Sequence, residues 1–269
     1  MSERQKAFLR QAARKKKIIW ILRSFIFIAF IFMWEISARI GWIDAFIFSS
    51  PSRILLCFLE MAESHTIFYH IGITLGETFL SFFLVIVIGI LLAILLWWNE
   101  TVAKVLEPYL VVLNSLPKTA LAPVFIVWLG NNMKTIIVAA VSVAVFSTTI
   151  TLYNTFMEMD PGKIKMIRTL GGTKKDILWK LIIPGNIPAI ISAMKVDIGL
   201  TLVGVIIGEF VASKAGLGYL IIYGSQVFKL DYVLLSIVIL CLISTGLYLL
   251  ISFIEKYYTN YFSKQEKNS

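Results

Sequence analysis

The chain has 269 residues, of which 58% are hydrophobic and 15% are charged, and its mean hydropathy is +0.84. Soluble domains are about 45–50% apolar and about 25% charged, so this composition excludes an ordinary soluble domain and predicts a membrane protein. The net charge is +9, but the basic residues lie between apolar stretches and are not interleaved with aromatic residues, which argues against nucleic-acid binding.

Six apolar stretches, taken in chain order, are long enough to cross a bilayer as helices. They are Ile18–Ile36, Phe79–Trp98, Val105–Leu129, Met133–Met157, Ala189–Ala212 and Tyr232–Ile254. None shows the two-residue alternation of membrane strands. Pro117 and Pro123 predict that the third helix is broken. The predicted fold is therefore all-α with six transmembrane helices, plus a surface helix over Ser52–Glu63 and an interfacial helix within Ser213–Asp231.

Lysine and arginine predict the orientation, because loops on the cytoplasmic side carry an excess of both. The residues expected there lie in the N-terminal arm, the loop Asp160–Pro188 and the tail: Arg4, Lys6, Arg10, Arg14, Lys15, Lys16, Lys17, Lys163, Lys165, Arg168, Lys174, Lys175, Lys180, Lys256, Lys264 and Lys267. The opposite side carries fewer, namely Arg39, Arg53, Lys134, Lys214 and Lys229. Both termini and the loop are therefore predicted to be cytoplasmic.

The loop between the fourth and fifth stretches has the pattern of two short amphipathic helices. Asp160 and Pro161 are an N-cap followed by a first helical residue, and Gly171 is expected to end this helix in the left-handed conformation. The apolar stripe of the first helix consists of Ile164, Ile167 and Leu170.

The second helix of the loop starts at Thr173, and Asp176 three residues later favours its first turn. Its apolar face consists of Ile177, Leu178, Leu181 and Ile182, and Pro184 and Pro188 are predicted to separate it from the fifth transmembrane helix. Such faces must be buried. They either pack on the protein's own helix ends or in the lipid interface, or they form a docking surface for a partner.

Several motifs resemble a known family. Ile167-Arg-Thr-Leu-Gly171 followed by Leu181-Ile-Ile-Pro184 resembles the EAA loop of type I ABC importer permeases, with the family's spacing from glycine to proline. The motifs that resemble its nitrate, sulfonate and taurine branch are Asn114-Ser-Leu-Pro117-Lys-Thr-Ala-Leu-Ala-Pro123 with Trp128-Leu-Gly130, Gly208-Glu209-Phe210, and Gly216-Leu-Gly-Tyr219. The resemblance covers most of residues 70–255.

The resemblance implies that the loop couples the chain to an ABC ATPase. It carries that role to Lys165, Ile167, Arg168, Leu170, Gly171, Leu181 and Pro184. The chain departs from the family at Lys165-Met166-Ile167, where the family has Glu-Ala-Ala, and at Ile183, where it has Leu. The missing glutamate is expected to weaken or alter one polar contact to the ATPase, while the glycine and the apolar residues are kept.

Polar residues near the broken third helix and in the fifth helix are candidates for a translocation pathway. A charge in lipid is costly, so intramembrane ionisable groups face protein or water. By resemblance, the third to fifth helices line the path. The candidates are Asn114, Ser115, Thr119, Asp197 and Glu209. Packing within the subunit is the alternative for all of them, and the Gly204-x-x-x-Gly208 pattern beside Glu209 is typical of close helix packing.

The sequence has no P-loop, zinc-protease, C-x-x-C or nucleophile-elbow motif, so no catalytic site, metal site or cofactor is expected. The resemblance implies a multi-pass permease subunit of the bacterial cytoplasmic membrane. Its implied partners are a pair of ABC ATPase subunits, an extracytoplasmic solute-binding protein, a second permease copy in a homodimer, and the lipid bilayer. A stand-alone secondary transporter is the alternative, although no inverted repeat is evident.

The resemblance also implies the domain organisation and the range of solutes. The organisation is a basic arm at 1–17, the first transmembrane helix and its outer segment at 18–69, an ABC type I transmembrane domain at 70–255 with the coupling loop 160–188, and a tail at 256–269. Similar permeases handle nitrate, sulfonates, taurine and vitamin precursors. The sequence leaves the solute open.

Labelling of single cysteines tests the predicted topology. In cells whose protein has Cys57 and Cys241 replaced by alanine, a cysteine at Ser213 should react with an impermeant maleimide added outside. A cysteine at Thr173 should react only after the membrane is opened, because the lysine-rich loop is expected to face the cytoplasm. Labelling of position 173 in intact cells would contradict the six-helix topology.

Overall fold

The computed structural model describes the backbone of residues 3–266 and the side chains of residues 14–258, and every regular element in this part is helical. In chain order the helices are α1 (Glu3–Ile40), α2 (Ala45–Phe48), α3 (Pro51–Glu63), α4 (Thr66–Trp98), α5 (Glu100–Ser115), α6 (Lys118–Leu129), α7 (Met133–Met157), α8 (Pro161–Thr169), α9 (Lys174–Ile177), α10 (Ile183–Ala212), α11 (Leu217–Gln226) and α12 (Leu230–Glu266). The predicted basic side chains of Arg4, Lys6, Arg10, Lys264 and Lys267 lie outside the described residues.

The number of possible membrane crossings agrees with the predicted all-α fold. By length and composition, five continuous helices in the described part can cross a membrane: α1, α4, α7, the helix Lys174–Ala212 that contains α9 and α10, and α12. Helices α5 and α6 together form a sixth candidate, bent by 95° at the break between them. The bounds of α7 are those predicted, and the surface and interfacial helices correspond to α3 and α11.

Two predictions about prolines were wrong. Pro123 lies inside α6 without breaking it, so the break occurs at Leu116 and Pro117 alone. Pro184 and Pro188 do not separate the loop from the fifth crossing, because α9 continues into α10 through five π-helical residues, Leu178–Ile182. The wider π turn directly before Pro184 relieves the clash that a proline ring makes with the preceding turn.

Three helices, α4, α7 and α10, form the centre of the bundle, and small residues bring them together. A Cβ atom added to Gly204 would lie 2.6 Å from the Cα atom of Ala140, and one added to Gly208 would lie 2.8 Å from the Cα atom of Ile136. In a membrane, helices associate through such close contacts because lipid is as apolar as the side chains it would replace.

Helix α1 lies at the edge of this bundle, and no residue of its most apolar window is buried. Glu35 near its end pairs with Arg39 at 2.7 Å and accepts hydrogen bonds from the backbone N–H and the hydroxyl of Ser52 at 3.0 and 2.9 Å. Arg53 at the start of α3 pairs with Asp231 of α12 at 2.7 Å. These polar contacts attach α1 and α3 to the bundle.

The bundle has two ends. We call the end that carries α8 and α9 the loop side, and the opposite end, which carries α3 and α11, the far side.

Substitution of Gly204 should separate α7 from α10. Gly204→Val places two methyl groups against the Ala140 backbone, and overpacking of this kind costs typically about 1–3 kcal/mol. The melting temperature of the detergent-solubilised protein, measured by size-exclusion chromatography after heating, should fall. Gly199→Val is the matched control on the same helix, since a Cβ atom at Gly199 meets nothing within 4 Å. Equal melting temperatures for both variants would contradict the packing role of Gly204.

Candidate functional site

The first part of the candidate site is the elbow between α8 and α9, residues 170–173. Asp160 caps α8 by accepting the Gly162 N–H at 2.7 Å. After α8, Gly171 has a φ of +79°, as its predicted left-handed conformation requires, and the Gly172 N–H donates to the Ile167 carbonyl at 2.9 Å. A Cβ atom on Gly172 would lie 2.8 Å from that carbonyl oxygen. One glycine is needed for its backbone angle and the next for its close approach to α8.

The second helix of the loop begins with a reciprocal cap. The Asp176 N–H donates to the Thr173 hydroxyl oxygen at 3.3 Å, and the Thr173 N–H donates back to the Asp176 carboxylate at 2.9 Å. Asp176 also pairs with Lys180 one turn later at 2.8 Å. This capping box confirms the predicted helix start and fixes the direction in which the chain leaves the elbow.

The apolar face of this second helix is used inside the protein. Ile177, Leu178 and Ile182 are buried in one cluster with Leu152 and Phe156 of α7. Of the alternatives considered for this face, packing on the protein's own helices is therefore the one observed. The face is not free to receive a partner.

A lysine ties the elbow to α4 as well. Lys174 Nζ donates to the carbonyl oxygen of Trp98, the last residue of α4, at 2.6 Å. The same nitrogen lies 5.4 and 5.8 Å from the ring centroids of Trp97 and Trp98. The cation satisfies a free carbonyl at the negative end of the α4 dipole, so the elbow is held by α4 and α7 together.

The first helix of the loop leaves a small exposed surface. Leu170 is 78% exposed and Met166 is 61% exposed, whereas Ile164 and Ile167 are half-buried against the apolar cluster below. A shallow cavity of about 360 Å³ beside the elbow is lined by Ile167, Leu170, Gly171, Gly172, Asp176 and Lys180. Lys165, Arg168 and Pro184 are exposed and Leu181 is half-buried. The coupling roles predicted for these residues stay predictions.

The second part of the candidate site is the break between α5 and α6. Lys118, the first residue of α6, donates from Nζ to the carbonyl oxygens of Leu113 and Asn114, both at 2.6 Å. It thereby satisfies carbonyls that the break leaves free at the end of α5. Sequence reasoning missed this contact, although a lysine directly after a helix-ending proline is typical of such a cap.

The polar side chains at the break lie on the surface of the chain. Asn114, Ser115 and Thr119 are exposed, and the Ser115 hydroxyl donates to the Val111 carbonyl of its own helix at 2.8 Å. A candidate crossing with an interrupted backbone and exposed polar groups is unsuited to contact with lipid.

The two predicted carboxylates lie elsewhere, inside the bundle. Asp197 is 3% exposed and lies beside Thr148 of α7, and Glu209 is 1% exposed near the far side. The structure therefore separates the five predicted pathway residues into three exposed residues at the break and two buried carboxylates. Their pathway role stays a prediction.

Helices that cross a membrane, a rigid elbow on one side and a broken crossing together have the architecture of a transport permease. The family model of the binding-protein-dependent transport system inner membrane component matches residues 85–260, and the chain belongs to this family. It is accordingly the permease component of an ABC importer, a multi-pass protein of the bacterial cytoplasmic membrane that works with an ATPase and a binding protein.

Individual proteins resemble the chain over most of its length. The formylaminopyrimidine transport permease protein ThiX of Halalkalibacterium halodurans is 31% identical over 194 residues, which are 72% of this chain and 76% of ThiX. The taurine transport system permease protein TauC of Escherichia coli is 22% identical over 218 residues, 79% of each chain. A chain of a crystallised bacterial ABC transporter involved in alginate import has the same fold, with a TM-score of 0.64 at 14% identity, over 94% of this chain and 96% of that one.

The elbow glycine provides a sharp test of coupling. Gly171→Val should reduce ATP-driven transport in liposomes at least about tenfold, equivalent to roughly 1.4 kcal/mol, because a β-branched residue is strained at a φ of +79°. Basal ATP hydrolysis should persist, since the apolar residues of the loop are unchanged.

Two further variants control the Gly171→Val experiment. Gly171→Asn should retain most transport, because asparagine tolerates the left-handed conformation. Gly246→Val in α12, where a Cβ atom meets nothing within 4 Å, should be neutral. Full transport by Gly171→Val at normal expression would rule out a mechanical role for the elbow.

Proposed function

We propose that two copies of this chain form one solute pathway, with an ABC ATPase subunit docked on the elbow of each copy and a binding protein delivering solute to the far side. The loop side then faces the cytoplasm, together with both termini. The separate ATPase subunits hydrolyse ATP. The permease has two conformations, and the ATPase subunits switch it from one to the other.

The observation that carries the proposal is the exposed break between α5 and α6. Interrupted backbone at membrane depth is stable only where it is buried in protein or lines water. In one copy, the break and its polar side chains Asn114, Ser115 and Thr119 are exposed. A second copy facing the break encloses these groups in a polar path and covers the exposed apolar residues beside them, such as Val112 and Leu116.

The exposed surface of the elbow supports ATPase docking at that position. Leu170 and Met166 are apolar and exposed; Met166 lies between Lys165 and Arg168 in the chain, and Leu170 follows Arg168 by two residues. An apolar residue ringed by charges suits insertion into a groove of a partner. The elbow is attached to α4 through Lys174, and the capping box fixes the start of α9, which packs on α7. A docked partner that moves Leu170 is therefore expected to move α4 and α7 as well.

The relatives indicate the class of solute. ThiX is a formylaminopyrimidine permease and TauC is a taurine permease, so we propose a small polar organic solute, either a pyrimidine vitamin precursor or a sulfonate. The binding protein, rather than the permease, is expected to select between them.

Reconstitution tests the proposal directly. The chain should be purified with the ATPase and the binding protein of its own system and placed in liposomes. ATP should drive uptake of the solute that the binding protein retains, and the complex should contain two copies of the chain and two of the ATPase by native mass spectrometry. Uptake driven by an ion gradient without the ATPase would instead identify a secondary transporter, and a single copy per complex would contradict the homodimer.

Leu170→Asp separates docking from folding in the same complex. A charge in the apolar contact should weaken ATPase capture at least about tenfold, while the monomer should stay stable because Leu170 is 78% exposed. Thr169→Asp is the charge-matched control at the neighbouring exposed position, and Leu170→Met should retain capture. Normal co-purification of the ATPase with Leu170→Asp, or equal loss with Thr169→Asp, would contradict docking at Leu170.

A further inference from the structure

The N–H groups at the start of α11, on the far side, donate hydrogen bonds to side chains of other helices. The first N–H groups of a helix have no partner within the helix and carry its positive partial charge. Here the Gly216 N–H donates to His70 Nδ1 at 3.0 Å, and the Leu217 N–H donates to the Thr74 hydroxyl oxygen at 2.8 Å. The Gly218 N–H donates to the Glu209 carboxylate at 2.5 Å.

Glu209 is the centre of this arrangement. Its other carboxylate oxygen accepts the hydroxyl proton of Thr74 at 2.7 Å, so one carboxylate joins α4, α10 and α11. Glu77 of α4 is a buried neighbour of the same carboxylate. With 1% exposure, Glu209 has no access to a solute, and a carboxylate at a helix N-terminus in a buried site makes a strong charge-assisted contact.

The glycines at the start of α11 leave room for the Glu209 carboxylate. A Cβ atom on Gly216, where φ is +108°, would collide with the Glu209 carboxyl group. A Cβ atom on Gly218 would lie 2.8 Å from Oε2 of Glu209. The ring of Tyr219 then stacks on His70 at 6.1 Å between centroids, and Tyr223 stacks on Tyr219 at 5.9 Å. The contact between α11 and α4 thus includes a ring stack of His70 on Tyr219 beside the hydrogen bonds.

Glu209 also lies near one end of the longest helix in the described part of the bundle centre. The helix from Lys174 to Ala212 has 39 residues, which corresponds to roughly 58 Å at 1.5 Å per residue. It begins at the elbow on the loop side and ends three residues after Glu209 on the far side. A displacement of the elbow along or about this axis moves Glu209 when the helix moves as one body.

We propose that Glu209, Thr74 and His70 are positioning residues that make α11 the far-side moving part of the permease, coupled through α10 to the elbow. This rests on the proposed function and assigns Glu209 to the coupling of the two sides rather than to the solute pathway. In the nucleotide-driven change of state, α11 follows α10 because the N–H groups at the start of α11 are hydrogen-bonded to side chains of α10 and α4.

The test uses Thr74, since it bonds both Glu209 and the Leu217 N–H. In the liposome complex with ATPase and binding protein, Thr74→Val should leave ATPase capture and basal hydrolysis within about twofold of wild type. Stimulation of hydrolysis by loaded binding protein should fall at least about fivefold, the lower end of ordinary coupling between sites. Thr74→Ser keeps the hydroxyl and should restore stimulation, and Glu209→Gln, which loses the charge but keeps the size, should resemble Thr74→Val.

The matched control is Thr78→Val, one turn along α4. Thr78 is as buried as Thr74, but its hydroxyl donates only to the Thr74 carbonyl of its own helix at 2.7 Å. Stimulation should survive in this variant. Equal loss in Thr78→Val and Thr74→Val, or failure of Thr74→Ser to restore stimulation, would overturn the proposal in favour of general packing.

Labelling of α11 gives a readout independent of hydrolysis. With Cys241 replaced by alanine, a cysteine at the exposed Ser225 should react with a maleimide at different rates in the nucleotide-free and ATP-trapped complexes. Cys57 is buried, and burial raises the pKa of its thiol to about 11, so it reacts slowly. The difference should vanish in Thr74→Val.

The labelling result also has a clear negative outcome. An unchanged difference in Thr74→Val, or no difference in the parent complex while it transports solute, would overturn the coupling of α11. A parent complex without ATP-driven transport would instead contradict the proposed function itself.

Discussion

The close approach of α4, α7 and α10 is the interaction on which the rest of the structure depends. Lipid gives no hydrophobic drive for helices to associate, so their contact relies on small residues and on buried polar bonds. Gly204 and Gly208 bring the α10 backbone onto α7, and the hydroxyl group of Thr148 faces the same seam. Once this seam is closed, polar groups on these faces are buried in protein rather than in lipid. That is where Asp197 and Glu209 lie, which explains how two carboxylates are tolerated in one continuous crossing.

The break between α5 and α6 obeys the opposite constraint. Its polar side chains and its interrupted backbone are exposed in a single chain, and only Lys118 returns to the carbonyls left free at the end of α5. By capping the end of α5, Lys118 of α6 removes two unsatisfied acceptors but leaves Asn114 and Thr119 exposed. The bundle therefore stabilises two kinds of polar site differently. The carboxylates are buried within one copy, while the break needs water or a second copy.

Much of this structure could be predicted from the sequence, because the signals concerned are local. Apolar length predicted the crossings, and the pairs Asp160–Pro161 and Thr173–Asp176 predicted the loop helices with their caps. Gly171 was assigned positive φ because a helix end requires it. The failures concern the way helices pack on one another. Pro184 was read as a helix boundary because the π-helical segment that accommodates it has no sequence signal. The burial of Glu209 and the exposure of Asn114 could not be predicted either, because depth in the membrane can be read from the sequence but the direction of a side chain within a bundle cannot. The buried face of Ile177 and Ile182 had two readings for the same reason.

The continuity of α9 and α10 gives the π-helical segment a mechanical meaning. A loop joined to a crossing by a flexible turn would absorb movement of a docked partner, whereas a continuous hydrogen-bonded helix passes it on. The π segment keeps that continuity past Pro184, where an ordinary α-helix would kink or end. It also buries Leu178 and Ile182 against Phe156, so the helix is supported on α7 at the point where it leaves the elbow. The helix Lys174–Ala212 is thus continuous, packs on α7 close to its loop-side end, and is bonded to α11 through the Glu209 carboxylate at the far side. In the proposed mechanism, movement at the elbow passes through α10 rather than through α1, which lies at the edge of the bundle with its most apolar window unburied.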